Sequence, residues 1–172
     1  TIAVNQDQRG WMAKGLTRLE GSHSTDAKEV FFWGMEPDVE YLARNHPMVA
    51  PNQWPDDICP SLREDLLPYY VSVLQLGDVI LSALAVGLGK SADFFTPYYT
   101  HGLARGQLVC YPPSLPDDAD ALRFGAAAHS DFGVLTLLAQ DDIGGLQVLN
   151  KSENWIEAPP IDNSFVCNIG DL

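Results

Sequence analysis

The longest patterned run of apolar residues lies mid-chain. Leu62, Leu66, Tyr70, Val73, Leu74, Leu81, Leu84, Ala85 and Leu88 recur at three- and four-residue steps, which traces one face of a helix. Ser61 followed by Glu64 predicts a capping box at its start. Gly87 and Gly89 predict its end. Pro68 and Gly77 interrupt the pattern, so a kink or break is expected near Pro68. Ser91 is expected to cap a short second helix reaching Phe95. Upstream, prolines 37, 47, 51, 55 and 60 predict irregular structure with short helical pieces over residues 1–60. Within it, Pro51-Asn52-Gln53-Trp54-Pro55 reads as an extended or turn stretch, because a residue before proline avoids the helical region.

The texture changes after residue 105. Gln107–Tyr111 is a predicted strand stopped by Pro112-Pro113, and Ser114–Asp120 an acidic loop. Val134–Ala139 is apolar and partly β-branched, and Asp141–Gly145 is a turn. Leu146–Leu149 and Trp155–Ala158 flank Asn150–Asn154 as a hairpin. Phe165–Ile169 is a last strand entering the turn at Gly170-Asp171. Helices first and strands afterwards predict an α+β chain with an antiparallel β layer of sandwich or barrel type. A helical region over 1–105 and a β region over 106–172 are expected to form one domain.

Composition narrows the function classes. The 172 residues carry 10 basic and 23 acidic side chains, a net charge of −13. Such a chain repels phosphate backbones and anionic lipid, so nucleic-acid and membrane partners are not expected. No apolar run is read as long enough to span a bilayer. Three cysteines, Cys59, Cys110 and Cys167, form no CxxC pair, which suits a reducing compartment and predicts a cytoplasmic protein. Residues 107–172 hold 10 acidic groups against 2 basic ones, and a carboxylate-bearing metal site is one reason for that excess. A solvated acidic surface is the other.

The candidate chemistry is His129-Ser130-Asp131. On a strand, residues i and i+2 share a face, so an imidazole nitrogen and a carboxylate oxygen can approach one ion. Those are two of the three ligands of the 2-His-1-carboxylate triad that holds non-haem Fe(II). On spacing alone, a surface histidine beside a turn aspartate is the plainer reading. GxSxG, HExxH and GxGxxG are all absent.

The wider string changes this. Ala127-Ala128-His129-Ser130-Asp131-Phe132-Gly133-Val134-Leu135-Thr136-Leu137-Leu138-Ala139-Gln140, continuing through Asp141-Asp142-Ile143-Gly144-Gly145-Leu146-Gln147-Val148, resembles the metal-binding strand and hairpin of the Fe(II)/2-oxoglutarate-dependent dioxygenases, in the isopenicillin N synthase-like branch. Trp155-Ile156, Pro159-Pro160 and Phe165-Val166-Cys167-Asn168-Ile169-Gly170-Asp171 continue the likeness in order. Tyr111-Pro112-Pro113 looks like the family's tyrosine-proline element, and Lys28-Glu29 with residues 51–55 resembles its helical region.

The resemblance implies a double-stranded β-helix (a cupin-like jelly roll) with N-terminal helices packed outside, incomplete in this chain. It implies iron held by His129 and Asp131, with a second histidine and then a 2-oxoglutarate-binding arginine expected beyond Leu172. His23, His46 and His101 precede the pair and are expected to serve surface or packing roles. Tyr111 matches a tyrosine that contacts the carboxylate of co-substrate or substrate, or is a half-buried strand aromatic. Val109 stands where the plant branch often has an asparagine that contacts 2-oxoglutarate. Thr136 and Gln140 are candidates for the substrate pocket, although Thr136 also suits a strand for its own sake. Phe132 is a third pocket candidate, with packing the favoured role, and Asn168 is a candidate for a place beside the metal.

The activity implied is oxidative decarboxylation of 2-oxoglutarate coupled to hydroxylation or another oxidation of a small organic substrate by O2, supported by ascorbate. The alternatives are an Fe(II)/O2 oxidase without 2-oxoglutarate and a non-catalytic jelly-roll binding module. With two ligands in hand, the 172-residue chain alone is expected to be inactive.

Overall fold

A computed structural model describes residues 2–16, 26–43, 46–100, 102–113 and 124–172. The described residues group into two compact units, Thr1–Ala128 and His129–Leu172. The expected loop at 114–120 lies outside the described residues, as do His23 and His101.

In the first unit the order is β1 (Gly10–Met12), β2 (Glu29–Gly34), α1 (Val39–Ala43), α2 (Ser61–Gly87), α3 (Thr96–Tyr99) and β3 (Arg105–Cys110). The three strands form one antiparallel sheet with β2 in the middle. This corrects the expectation of irregular structure before residue 60, and of a helical place for Lys28-Glu29. Glu29 opens a strand, and Lys28 pairs with Asp26. Glu29–Gly34 carries apolar groups on both faces, so the alternation that announces a strand is missing. Its partner β3, more than 70 residues away, makes it one.

A buried hydrophobic cluster lies on one face of that sheet. Phe31, Trp33, Leu66 and Tyr70 are buried together, with Ile2, Trp54, Leu62 and Ala104 against them. Phe31 and Trp33 are two residues apart and share a strand face, with ring centroids 6.4 Å apart. The Trp33 indole lies over Gly106, its register partner on β3, where an added Cβ would come within 2.3 Å of the ring. From α2, the Tyr70 hydroxyl donates to the Ala104 carbonyl at 3.0 Å. Residues 51–55, expected to be an extended or turn stretch, form neither helix nor strand and act as a polar staple. The Asn52 side chain accepts from the Gly34 N–H and donates to the Gly34 carbonyl, at 2.8 and 2.9 Å, as a neighbouring strand would. Trp54 donates to Glu36.

Helix α2 departs from expectation in three ways. It runs unbroken through Pro68 and Gly77. Its N-cap is Pro60 without a side-chain bond, so Ser61 is the first helical residue and the Ser61–Glu64 capping box does not form. It is also long and apolar enough to cross a membrane by length and composition, with a mean hydropathy of 1.6 over 18 residues, 11% of them buried. The proline does not divide the run, which corrects the view that nothing reaches that length. Leu66, Tyr70 and Ala85 are its buried residues. The end of the helix is as predicted. Gly89 takes φ +71°, while Gly89 N–H donates to Val86 O and Lys90 N–H to Ala85 O, a Schellman closure. The next helix is α3 rather than one capped by Ser91. Ser91 only accepts a turn bond from Phe94 N–H.

In the second unit, β4 (Leu135–Leu138) pairs antiparallel with β7 (Val166–Ile169), and β5 (Gln147–Leu149) with β6 (Trp155–Glu157). All four fall within predicted strands. Asn150 organises the β5–β6 turn, its Oδ1 accepting from the N–H groups of Ser152 and Asn154, both at 2.9 Å. Gly144 and Gly145 take φ +80° and +99° in the turn before β5, a conformation other residues adopt at a cost.

Candidate metal centre

Strand β4 starts at Leu135, so His129-Ser130-Asp131 precedes it in a segment without regular structure, followed by a bend at 132–134. The two side chains meet, but not through strand alternation as expected. His129 Nε2 lies 3.6 Å from Asp131 Oδ1, with the side chains 42% and 31% exposed.

What holds Asp131 comes from the β4–β7 ladder. Thr136 and Asn168 sit directly opposite each other, so their side chains share a face. Thr136 Oγ1 donates to Asp131 Oδ2 at 2.7 Å, and Asn168 Nδ2 donates to the same oxygen at 2.8 Å. The Asp131 carbonyl accepts from Asp171 N–H at 2.9 Å, and the Val134 carbonyl from Gly170 N–H at 3.2 Å. Gly170 permits this approach, since a Cβ there would stand 2.5 Å from the Asp131 carbonyl oxygen and 2.2 Å from that of Gly133. Bonds to its charged form hold the Asp131 carboxyl below the usual range, Asn168 first and Thr136 second, with burial opposing and the His129 charge contributing least.

The donor set suits a first-row divalent ion. An imidazole nitrogen and a carboxylate oxygen on adjacent sites of an ion bound at about 2.1 Å stand roughly 3 Å apart. The observed 3.6 Å is within about 1 Å of that. Among the described residues, no three His, Cys, Asp or Glu side chains gather around one point.

The remaining candidates fall elsewhere. The Thr136 hydroxyl is committed to Asp131. Gln140 donates to the Ala158 carbonyl at 3.2 Å and lines a cavity of about 350 Å³ with Asp141, Asp142, Ile161 and Asn163, among others; neither His129 nor Asp131 borders it. Phe132 is 84% exposed, so the packing role expected of it is not what the structure shows. Tyr111 follows β3 in the first unit, its half-exposed ring over Gly125, and burial followed by the Asp26 charge pushes its hydroxyl pKa up. His46 lies with its ring centroid 6.4 Å from that of Tyr41. Sequence reasoning gave no role to the backbone of Gly170 and Asp171. The Asn-Ile-Gly-Asp string was visible, but not what it closes on.

Residues 104–172 match the model of the 2OG-Fe(II) oxygenase superfamily. A 2-oxoglutarate-Fe(II) type oxidoreductase of Emericella nidulans is 34% identical over 98% of this chain and 50% of its own length. A homoarginine-6-hydroxylase of Oryza sativa is 40% identical over 95% of this chain and 50% of its own. Among solved structures, a Neurospora crassa protein crystallised with alpha-KG superposes with a TM-score of 0.80 at 28% identity, covering 95% of this chain and 52% of that one. Over residues 104–172 the chain carries the pattern of the 2OG-Fe(II) oxygenase superfamily, and it spans about half the length of the relatives it matches.

Proposed function

We propose that the protein carrying this chain is a non-haem Fe(II) oxygenase that couples decarboxylation of 2-oxoglutarate to oxidation of a small organic molecule by O2. The observation that carries the reading is the convergence of His129 Nε2 and Asp131 Oδ1 at 3.6 Å, with the carboxylate held ionised by two donors. His129 supplies a nitrogen ligand and Asp131 one unit of negative charge toward the ion. The set calls for one further nitrogen ligand, which no described residue of this chain brings to the pair. Bound Fe(II) supplies the activation of O2, and the protein orients the reactants and keeps the site dry. The paired strands β4–β7 and β5–β6 are the first part of a double-stranded β-helix. The three free cysteines accord with a reducing, cytoplasmic setting.

Relatives support the co-substrate and the small-molecule class, through structures solved with alpha-KG alone and with alpha-KG and thymine. The test is succinate formation from 2-oxoglutarate by the full-length protein with Fe(II) and ascorbate. The His129→Ala variant is expected to lose both turnover and iron binding by calorimetry. Unchanged iron affinity in that variant refutes the assignment. Substrate oxidation without 2-oxoglutarate consumption moves the reading to an oxidase.

A further inference from the structure

We infer that Thr136 and Asn168 are positioning residues, which commit Oδ2 of Asp131 to hydrogen bonds and leave Oδ1, beside His129 Nε2, as the single carboxylate oxygen presented to a divalent ion. This rests on the metal reading above and goes beyond it, because it concerns how many oxygens the ion receives.

A carboxylate oxygen has two lone-pair sites. Oδ2 accepts at 2.7 Å from the Thr136 hydroxyl and at 2.8 Å from the Asn168 amide, which fills both. Oδ1 is the oxygen turned to the imidazole. A tie that merely fastened one strand to the next has no reason to spend both donors on one oxygen of a residue outside the ladder. The donors come from opposite positions of the β4–β7 pair, so the ladder fixes the distance between them. The carboxylate plane is set by that geometry before any ion arrives. Asp171 N–H on the Asp131 carbonyl fixes the backbone end of the same residue. With Oδ2 committed, Asp131 fills one coordination position rather than two. That leaves one more position open for co-substrate or O2.

The probe is Co(II) alone, titrated into the full-length protein and read by calorimetry and by its visible absorption, which reports the number of ligands. Thr136→Val and Asn168→Leu keep shape and remove a donor. Each is expected to weaken Co(II) binding by about 10- to 100-fold, because the carboxylate is no longer held in place, and to change the absorption, because the freed Oδ2 competes for an open position on the ion. Thr136→Ser keeps the hydroxyl and is expected to restore both affinity and spectrum. The clamp is overturned alone if His129→Ala abolishes Co(II) binding while Thr136→Val leaves affinity and spectrum as in the parent. It is equally overturned if Thr136→Ser behaves like Thr136→Val, since packing then explains the effect. Co(II) binding that is identical in the parent and in His129→Ala overturns the metal-site reading, and the clamp with it. Should Thr136→Val fail to fold, Asn168→Leu and Thr136→Ser still decide between these outcomes.

Discussion

Gly170→Ala is the sharpest test of how the second unit holds the Asp131 carboxylate. The added Cβ would lie 2.2 Å from the Gly133 carbonyl oxygen and 2.5 Å from that of Asp131, and both obstacles are backbone. Neither can swing aside, so the chain at residue 170 must withdraw. Withdrawal breaks the bonds from Gly170 N–H to Val134 O and from Asp171 N–H to Asp131 O. At about 1 kcal/mol net for each bond, the local cost is about 2 kcal/mol, a shift of roughly 30-fold toward the open arrangement. Gly133→Ala is the built-in control, because nothing lies within 4 Å of a Cβ there. Amide hydrogen exchange at residues 170 and 171, followed by NMR, should accelerate by about that 30-fold in Gly170→Ala and stay at the parent rate in Gly133→Ala. Equal exchange in the two variants would refute the argument that Gly170 exists for close approach. Weaker Co(II) binding in Gly170→Ala alone would tie the same contact to the metal site.

Gly106→Ala should destabilise the first unit by about 1–3 kcal/mol, read as a lower urea midpoint, because its Cβ meets the buried Trp33 ring at 2.3 Å. Asp26 is 2% exposed, lies 3.0 Å from Lys28 Nζ and accepts from Ala127 N–H at 3.1 Å. Asp26→Ala strands both groups and should cost about 3 kcal/mol by the same assay, whereas Lys28→Met should cost less because Ala127 keeps its acceptor. Burial raises the hydroxyl pKa of Tyr70, and burial followed by the Asp26 charge raises that of Tyr111. The folded state therefore holds those protons longer than the unfolded chain. Their contribution is full below the ordinary tyrosine pKa of about 10 and is lost as pH rises through the folded values. A phenolate absorbance titration should show two late-ionising groups, of which Tyr70→Phe removes one.

Local pattern carried much of this molecule. The spacing of Leu62, Leu66, Tyr70 and Ala85 predicted α2, and Gly89 predicted its closure, because periodicity and left-handed caps are properties of neighbouring residues. The strands of the second unit and their turns were legible for the same reason. His129 and Asp131 were legible as a pair, and the string from 127 to 171 pointed to the family before any geometry was known.

Tertiary structure decided the rest. Glu29–Gly34 became the central strand because Arg105–Cys110 supplies its hydrogen bonds, a partner that no local window contains. Pro60 took the cap position and left Ser61 inside the helix, so a sequence signature for capping lost its geometry by one residue. Thr136 suited a strand or a pocket equally well. Only the register that sets it opposite Asn168 brings both donors onto one oxygen of Asp131. Sequence thus determined which groups are available for chemistry, through composition and short-range order. Which oxygen of Asp131 is tied down depends on contacts across 37 residues, and those exist only once β4 and β7 have paired.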